Sequence, residues 1–404
     1  MRIFTSTLYK ITAIGLLLWT STGFAQQSKD SIMNMDAAFN RPYLTSDKSP
    51  VSLGGYLEAN TIHSINDEGD TDGLSFQARR LTLFVSASIS KRIKFMTEIE
   101  FEDGGNEVEI EFASMDVAFH PLVNLRGGIV MNPIGAFNEN HDGPKWEFVE
   151  RPNVATEMLG ATLSNAGFGL HGKTYHKDWI FGYEAYLTNG FNNTIISNEK
   201  DKTYLPAGKA NLDRFMSNAS GKAMFTGKLA IKNRHFGEVG FSYMGGTYNQ
   251  HIDDGEDIED PADVNVYAID LHTEIPRWGT QIIGEIAWVN VQIPDTYTQQ
   301  YGKKQMGMFV DVVQPVYRNT ILDWENATVN LAARLDYVDW NVGRFNETGT
   351  RIGDEVLAIT PAISFRPTPR TVFRVNYRYE WETDVMNNPP GHEATWYFGF
   401  STYF

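Results

Sequence analysis

The sequence predicts an all-β fold, a transmembrane antiparallel β-barrel of about sixteen strands. Three observations support this prediction: alternating side-chain types along segments of about ten or more residues, aromatic side chains gathered on one face of those segments, and alternation of short with long connections. The chain has 404 residues, 13% of them aromatic. Its mean hydropathy is only −0.32. Barrel strands are nevertheless compatible with this value, because half of their side chains face a wet lumen.

The last two predicted strands show the pattern most clearly. Successive strand side chains point to opposite faces. From Thr371 onward, one face is aromatic or aliphatic, with Phe373, Val375, Tyr377, Tyr379 and Trp381. The opposite face is polar, with Arg374, Asn376, Arg378, Glu380 and Glu382. The final strand again places aromatic residues on one face, at Trp396, Phe398, Phe400 and Phe404. A secreted β-sandwich also alternates, but aromatic girdles and long repeated strands favour a membrane barrel.

Alternation and turn residues together predict sixteen strands along the rest of the chain. They are placed at about 51–65, 75–90, 93–102, 108–120, 123–132, 160–175, 179–189, 221–234, 237–249, 263–275, 279–293, 306–318, 326–340, 354–366, 371–383 and 394–404. An even number is what a closed antiparallel bacterial barrel with both ends in the periplasm requires.

The connections between these strands form two sets, and each set contains every second connection. One set is short, as at 90–92 and 176–178, and the other is longer and polar, as at 133–159 and 190–220. Short periplasmic turns that alternate with longer outer loops are typical of such barrels. Two places fit less well. The connection 319–325 is long for the short set, and a change of apolar face in the fourth strand predicts a β-bulge near Ala113.

The N-terminus predicts export. Residues 1–25 read as a secretory signal peptide with basic residues Arg2 and Lys10, an apolar core and a small-residue cleavage site. Residues 26–50 are predicted as a polar periplasmic leader, and residues 51–404 as the barrel. Loss of two basic residues changes the formal charge from −16 to −18, which argues against nucleic-acid binding. The expected location is the outer membrane of a Gram-negative bacterium, among its lipids, with the terminal Phe404 recognised by the barrel-assembly machinery.

Four stretches of the first half carry a family resemblance. They are QARRLTL (77–83), KFMTEIEFED (94–103), MDVAFHPLVNLRGGIVMNPIGAFN (115–138) and KWEFVERPNVATEMLGATL (145–163). In this order and spacing the chain resembles the phosphate-selective porin family, the O and P type of Gram-negative outer membranes. The resemblance covers roughly a third of the chain, between about Ser75 and Phe191.

This resemblance implies a sixteen-stranded and usually trimeric channel whose third long loop folds into the lumen and narrows it. Arg151 stands at the family's loop arginine, and Arg80 and Arg126 stand at recurrent strand arginines. The family carries an excess of cations in its lumen. The predicted constriction loop of this chain is not dense in Lys or Arg. The resemblance therefore implies pore function without implying phosphate specificity.

Two sets of charged residues are predicted to line the passage. The first surrounds a narrow eyelet formed by the third long loop and consists of Lys145, Glu147, Glu150 and Arg151. The second comprises basic residues on the inward faces of strands, namely Arg80, Lys94, Arg126, Lys228, Arg334, Arg374 and Arg378. Charged rings at a constriction set the ion preference of a pore. The alternative is that these charges pair with acidic neighbours across the wall.

The sequence therefore predicts a passive porin for small, charged hydrophilic solutes, with no cofactor, no catalytic residues and no metal site. The motifs of serine hydrolases, zinc peptidases and phosphate-binding loops are absent from the sequence. An outer-membrane barrel enzyme of lipase or protease type and an adhesin barrel are the competing classes. The acidic loops 66–73 and 253–263 lack the ligand spacing of a calcium-binding loop and are interpreted as solvated loops.

Overall fold

The computed structural model describes residues 32–44, 50–71, 73–294 and 302–404. The predicted signal peptide lies outside these residues, and the predicted leader falls within them only in part. Among the described residues, no helix is both long and apolar enough to cross a membrane.

Sixteen antiparallel strands close into one barrel, as predicted. The strands of the chain are β1 (Val51–Asn66), β2 (Ser75–Ser88), β3 (Ile93–Glu102), β4 (Glu107–His120), β5 (Val123–Met131), β6 (Ser164–His176), β7 (Trp179–Thr188), β8 (Met224–Asn233), β9 (Gly237–Thr247), β10 (Ile252–Asp253), β11 (Glu256–Asp257), β12 (Asp263–Ile275), β13 (Thr280–Val291), β14 (Lys304–Ile321), β15 (Trp324–Asp339), β16 (Glu355–Thr368), β17 (Thr371–Thr383) and β18 (Gly391–Tyr403). The short β10 and β11 form a hairpin of their own, and β1 pairs with β18 to close the barrel.

One end of the barrel, the turn end, carries seven connections of two to four residues. The other end, the loop end, carries the longer connections, with 103–106 as a short exception. The prediction that 319–325 is a long connection is wrong. Strands β14 and β15 continue to Ile321 and from Trp324, so only a two-residue turn at 322–323 joins them. The polar residues Asn319 and Glu325 resemble loop residues and had obscured these strand ends.

Two β-bulges alter which residues face the lumen. The predicted bulge in β4 is present, with Glu98 opposite Phe112 and Ile99 opposite Ile110, so that Glu111 is the inserted residue. It turns Phe112 inward, whereas strict alternation would leave it on the face of Ile110. A second bulge lies in β2, where Glu58 pairs with Arg80 but Asn60 pairs with Gln77. An additional residue in one strand changes the facing of its neighbours.

The outer surface is an apolar band to which nearly all barrel strands contribute exposed side chains. Examples on different strands are Leu53, Phe76, Phe168, Phe241, Val312, Leu331, Ile363, Phe373 and Phe398. An exposed apolar surface of this extent is typical of the outer face of a transmembrane barrel. The aromatic faces predicted for β17 and β18 point outward, while Arg374, Asn376 and Arg378 are buried within the barrel.

The interior is filled by two loops. Loop L3 (residues 132–163) follows β5, and loop L4 (residues 189–223) follows β7. Val154 and Met158 of L3 and Phe191 and Leu205 of L4 belong to one buried apolar cluster. The cluster also contains inward-facing residues near the loop end of β12 to β16, namely Val264, Val266, Ala268, Ala287, Val289, Phe309, Val338 and Val356. In this part of the wall aliphatic side chains also face inward, because the loops bury an apolar lining of their own.

A third element occupies the turn end of the lumen. The N-terminal segment (residues 33–44) begins with a single turn of 3-10 helix, Asn34–Asp36, and then follows an irregular path. Its residues Met33, Met35, Arg41 and Leu44 are at most 5% exposed. The segment lies within the range predicted as a leader, and in the structure it packs against inward-facing side chains of the barrel.

Candidate functional site in the barrel lumen

Loop L3 crosses the lumen and contacts strands around much of the wall. Its Ala136 N–H donates to Glu285 on β13 at 2.8 Å, and Gly135 N–H donates to Ser242 on β9 at 3.2 Å. Farther along, Val149 N–H donates to Asn376 on β17 at 2.6 Å. The predicted insertion of the third long loop into the lumen is thus confirmed.

Arg374 on β17 is the strongest anchor of L3. Its guanidinium donates to the carbonyl oxygens of Gly143, Trp146 and Phe148, at 3.2, 3.1 and 2.5 Å. On its other side it contacts Glu58 on β1 at 2.7 Å. Arg374 is 1% exposed. Because a buried guanidinium needs both a counter-charge and hydrogen-bond acceptors, this arrangement fixes the loop segment against the wall.

Two further arginines hold the predicted eyelet carboxylates. Arg79 on β2 forms a forked pair with Glu150, with N–O distances of 2.7 and 3.0 Å. Arg366 on β16 contacts Glu147 at 2.6 Å. Paired N–H donors in one plane fit a carboxylate geometrically as well as electrostatically. The two carboxylates are therefore held by the wall, and each neutralises one cation.

The predicted basic strand residues lie on the inward face, and most have acidic partners. Arg80 contacts Glu58, Glu100 and Glu102, with the shortest distance 2.7 Å to Glu102. The other ion pairs join Arg126 to Asp116 and Glu184, Lys228 to Asp270, Arg334 to Asp311, and Arg378 to Glu380 and, more distantly, Asp336. Lys94 is exposed on β3 near the turn end.

The two predicted loop cations have different surroundings. Lys145 lies 3.2 Å from Asp142, and its ammonium donates to the carbonyl of Ala37 at 3.4 Å. Arg151 lies 3.8 Å from Glu100 and its guanidinium is 5.7 Å from the ring centre of Phe137. The interior therefore brings the predicted charges together as ion pairs, which agrees with the alternative of charge pairing across the wall.

Sequence reasoning missed three arginines of this interior. Strict alternation assigns Arg79 to the lipid side, and only the bulge in β2 turns it inward. Arg366 lies at the end of its strand, beyond the part that shows clear alternation. Arg41 lies in a non-periodic polar stretch that carries no facing signal. The adjacent arginine pair at positions 79 and 80 was the one usable hint, since lipid-facing arginines are costly.

Arg41 lies among Glu98, His141 and Asp142, the set of potential metal ligands that the described residues bring close together. Its guanidinium is 2.8 Å from Glu98 and 2.5 Å from Asp142, and it also contacts the ring of His141. Although burial alone would raise it, Arg41 and Lys145 hold the pKa of Asp142 well below its ordinary range. The arginine supplies the positive charge that a metal ion would otherwise bring, so the cluster is interpreted as an ion-pair site.

Glu139 in L3 has an unusual environment. It is 3% exposed, and its Oε2 has no hydrogen-bond partner among the described residues. Burial raises the pKa of Glu139 well above its ordinary range, and the nearby Glu184 carboxylate raises it further. The folded protein therefore binds this proton more tightly than the unfolded chain. Its contribution to the free energy of unfolding is largest at low pH and falls as the pH rises above about 4.3, the ordinary glutamate pKa.

We expect Glu139→Gln to stabilise the protein at pH 7.5 by roughly 1–3 kcal/mol, because the amide removes a buried ionisable group. At pH 4 the variant and the parent should have equal stability. Denaturant unfolding in detergent micelles at both pH values measures this difference. The matched control is Glu199→Gln, which changes an exposed glutamate of L4. A variant that is less stable than the parent at pH 7.5 would show that Glu139 is a paired carboxylate there.

No family model matches the chain. A protein of uncharacterised function from Aquifex aeolicus (strain VF5) is 26% identical over 373 residues, which cover 87% of this chain and 80% of that protein. Among solved structures, the anion-selective porin from Comamonas acidovorans superposes with a TM-score of 0.54 at 10% identity, covering 88% of this chain and 99% of the porin.

Two further solved structures are similar. OprB of Pseudomonas putida has a TM-score of 0.55 at 10% identity and covers 88% of this chain and 94% of its own. The chain has the fold of an outer-membrane porin. The outer membrane channel DcaP of Acinetobacter baumannii has the same fold, with a TM-score of 0.51 at 12% identity. The match covers 87% of this chain and 96% of DcaP. At these identities the porin likeness defines the fold, and the solute must be argued from the lumen.

Proposed function

We propose that this porin-fold protein is a passive outer-membrane channel for small, charged hydrophilic solutes. The observation that carries the proposal is a closed barrel that is apolar outside and charged inside, with L3 lying across its lumen. In this proposal the turn end faces the periplasm and the loop end faces the exterior. Solutes are filtered by size and by the local electric field at L3.

We propose a narrow passage at the level of L3. Inward-facing charged residues there are almost inaccessible to water: Glu100 and Arg374 are each 1% exposed, and Asp336 is 0% exposed. A wide water-filled lumen would leave such side chains solvated. The eyelet role of Lys145, Glu147, Glu150 and Arg151 belongs to this proposal, with the two carboxylates held by Arg366 and Arg79.

We propose weak ion selectivity in place of phosphate selectivity. Most of the basic residues predicted to face the lumen have a carboxylate within 4.0 Å, so the positive field that would concentrate phosphate is largely cancelled. The homotrimer, the lipid contacts and recognition of Phe404 by the assembly machinery remain predictions. The absence of enzymatic activity is likewise a prediction, and hydrolysis that depends on one luminal Ser or His would contradict it.

The test is the reversal potential of the purified protein in a planar bilayer under a salt gradient, repeated with phosphate added. We expect small conductance steps, a reversal potential close to zero, and no block by phosphate. Strong anion preference with phosphate block would overturn the weak selectivity and favour the solute of the resembling family. An absence of conductance steps from correctly folded protein, both in the parent and after deletion of residues 33–44 from the lumen, would overturn the channel function itself.

A further inference from the structure

We propose that the N-terminal segment (residues 33–44) is a removable stopper for the turn end of the lumen, latched by Arg41. The proposal rests on the channel function above and adds a device that opens and closes the channel. It is carried by three observations: the segment lies inside the barrel, its charged side chains pair with wall and L3 residues, and its backbone is not part of the sheet.

Small apolar contacts place the segment against two regions of the wall. Met33 and Met35 pack with Ile180 on β7 and Ala230 on β8. Ala38 and Leu44 belong to a separate cluster that contains Tyr56, Phe84, Met96 and Phe112. The segment thus spans the turn end between the strands β7 and β8 and the strands β1 to β4. Polar contacts add to this apolar packing and fix the position of the segment.

Arg41 makes the most concentrated set of those polar contacts. It pairs with Glu98 on β3 and Asp142 on L3, and its guanidinium lies 4.0 Å from the ring centre of Phe84. The two carboxylates and the arginine are buried. Removing the arginine would leave two buried carboxylates facing each other without this cation, which is a strongly unfavourable arrangement. The latch is therefore a single side chain with a large effect on the segment.

Other contacts connect the segment to the wall and to L3. Asp36 pairs with Lys173 on β6 at 2.6 Å, and Asn34 N–H donates to Glu238 on β9 at 3.1 Å. The carbonyl of Ala37 accepts from Lys145 at 3.4 Å. The stopper thus touches the underside of L3. Its withdrawal would widen the turn end and also remove two supports of the loop, namely the contacts of Arg41 with Asp142 and of Ala37 with Lys145.

The segment is able to leave without disrupting the barrel. Among the described residues, the backbone-to-backbone hydrogen bonds of residues 33–44 stay inside the segment: Met33 pairs with Asp36, Asn34 with Ala37, and Asp36 with Phe39 and Asn40. No described residue of the segment belongs to a strand of the sheet. Strand β1 begins at the turn end with Val51. The segment precedes this strand in the chain, so it is attached to the barrel at the same end of the lumen that it fills. Withdrawal therefore breaks side-chain contacts and leaves the strand ladder intact.

The first experiment measures exposure of the covered wall without using conductance. Met96→Cys gives a thiol in the covered cluster, in a protein that otherwise contains no cysteine. We expect a maleimide to label this thiol about tenfold faster when Arg41→Gln is added, because losing one partner of a buried ion pair weakens the hold of the segment. Two controls are used. Arg92→Gln changes an exposed turn-end arginine. Ala287→Cys places the thiol in the buried apolar cluster that L3 and L4 form with the wall.

The second experiment locks the stopper in place. A Cβ at Gly54 would lie 3.5 Å from the Cβ of Tyr43, within the usual range for a disulfide. The variant Tyr43→Cys/Gly54→Cys can therefore be oxidised to fix the segment two residues from Arg41. When Arg41→Gln is added, the single-channel conductance should rise several-fold in the reduced form and return to the parent value on oxidation.

The outcomes separate the stopper from the channel. Faster labelling of Met96→Cys, with Ala287→Cys unchanged and conductance controlled by the disulfide, supports the stopper. The stopper is overturned if the labelling rate is the same with and without the Arg41→Gln substitution. It is also overturned if the conductance is the same in the reduced and oxidised forms. Faster labelling at both thiols also overturns it, since the whole fold would then have loosened. If all variants lack conductance, the channel function fails, and the labelling experiment still decides whether the segment withdraws.

Discussion

Replacing Arg374 with alanine should lower the free energy of unfolding by about 3–5 kcal/mol, the usual cost of removing one partner from a buried ion pair. The change leaves Glu58 buried, and among the described residues Arg80, at 3.4 Å, is then its one cationic partner within 4.0 Å. It also removes a donor from three L3 carbonyl oxygens, those of Gly143, Trp146 and Phe148, of which Gly143 keeps a hydrogen bond from Trp146 N–H. Since unsatisfied buried acceptors are costly, L3 should detach from β17 and become mobile. Denaturant unfolding in micelles measures the stability. In bilayer recordings, release of the loop should appear as larger and noisier conductance steps.

Two variants make this result specific to the contacts of Arg374. Arg92→Ala removes an exposed arginine at the turn end and should change stability by less than about 0.5 kcal/mol, as is usual for surface positions. Arg374→Lys keeps a positive charge near Glu58 but cannot reach all three carbonyl oxygens, so its loss should be intermediate. If Arg374→Ala behaved like the Arg92 control, the anchoring role of Arg374 would be refuted.

Deleting residues 143–152 should raise the single-channel conductance several-fold and shift the ion preference toward anions. The deleted stretch contains Lys145, Glu147, Glu150 and Arg151, so its net charge is zero. Any change in selectivity must therefore come from wall charges that the deletion uncovers. Glu147 and Glu150 are the partners of Arg366 and Arg79, and both arginines would then face the passage without them. Asp142 and Glu100 lose Lys145 and Arg151 but keep Arg41 and Arg80 as cationic partners. Two uncompensated cations at a constriction attract anions.

The deletion is tested by bilayer recordings of step size and reversal potential. A matched control is deletion of 344–349 in the loop between β15 and β16, which also has zero net charge and is largely exposed. The control should leave both quantities close to the parent values. An unchanged conductance after deletion of 143–152 would show that the segment does not narrow the passage. A larger conductance with unchanged selectivity would show that Arg79 and Arg366 find other partners.

The sequence alone predicted the barrel, its number of strands, and the faces of β17 and β18. These features depend on local rules: successive strand residues point to opposite sides, and lipid and water require opposite chemistry on the two sides. The same rules correctly placed Arg80, Arg126 and Arg374 on the inward face. The insertion of the third loop came from the resemblance, since nothing in the alternation specifies where a loop folds.

Only the tertiary structure decided which charges meet and what fills the lumen. Arg79 faces inward because a bulge shifts the pairing of β2 with β1, and such a shift leaves little trace in one strand's pattern. Val266 and Phe309 face inward because L3 and L4 cover them, although each looks like a lipid-facing residue in its own strand. Arg41 meets Glu98 and Asp142 across 57 and 101 positions of the chain. Contacts between residues so far apart in the chain arise from packing in three dimensions, whereas alternation records only which medium each strand residue faces.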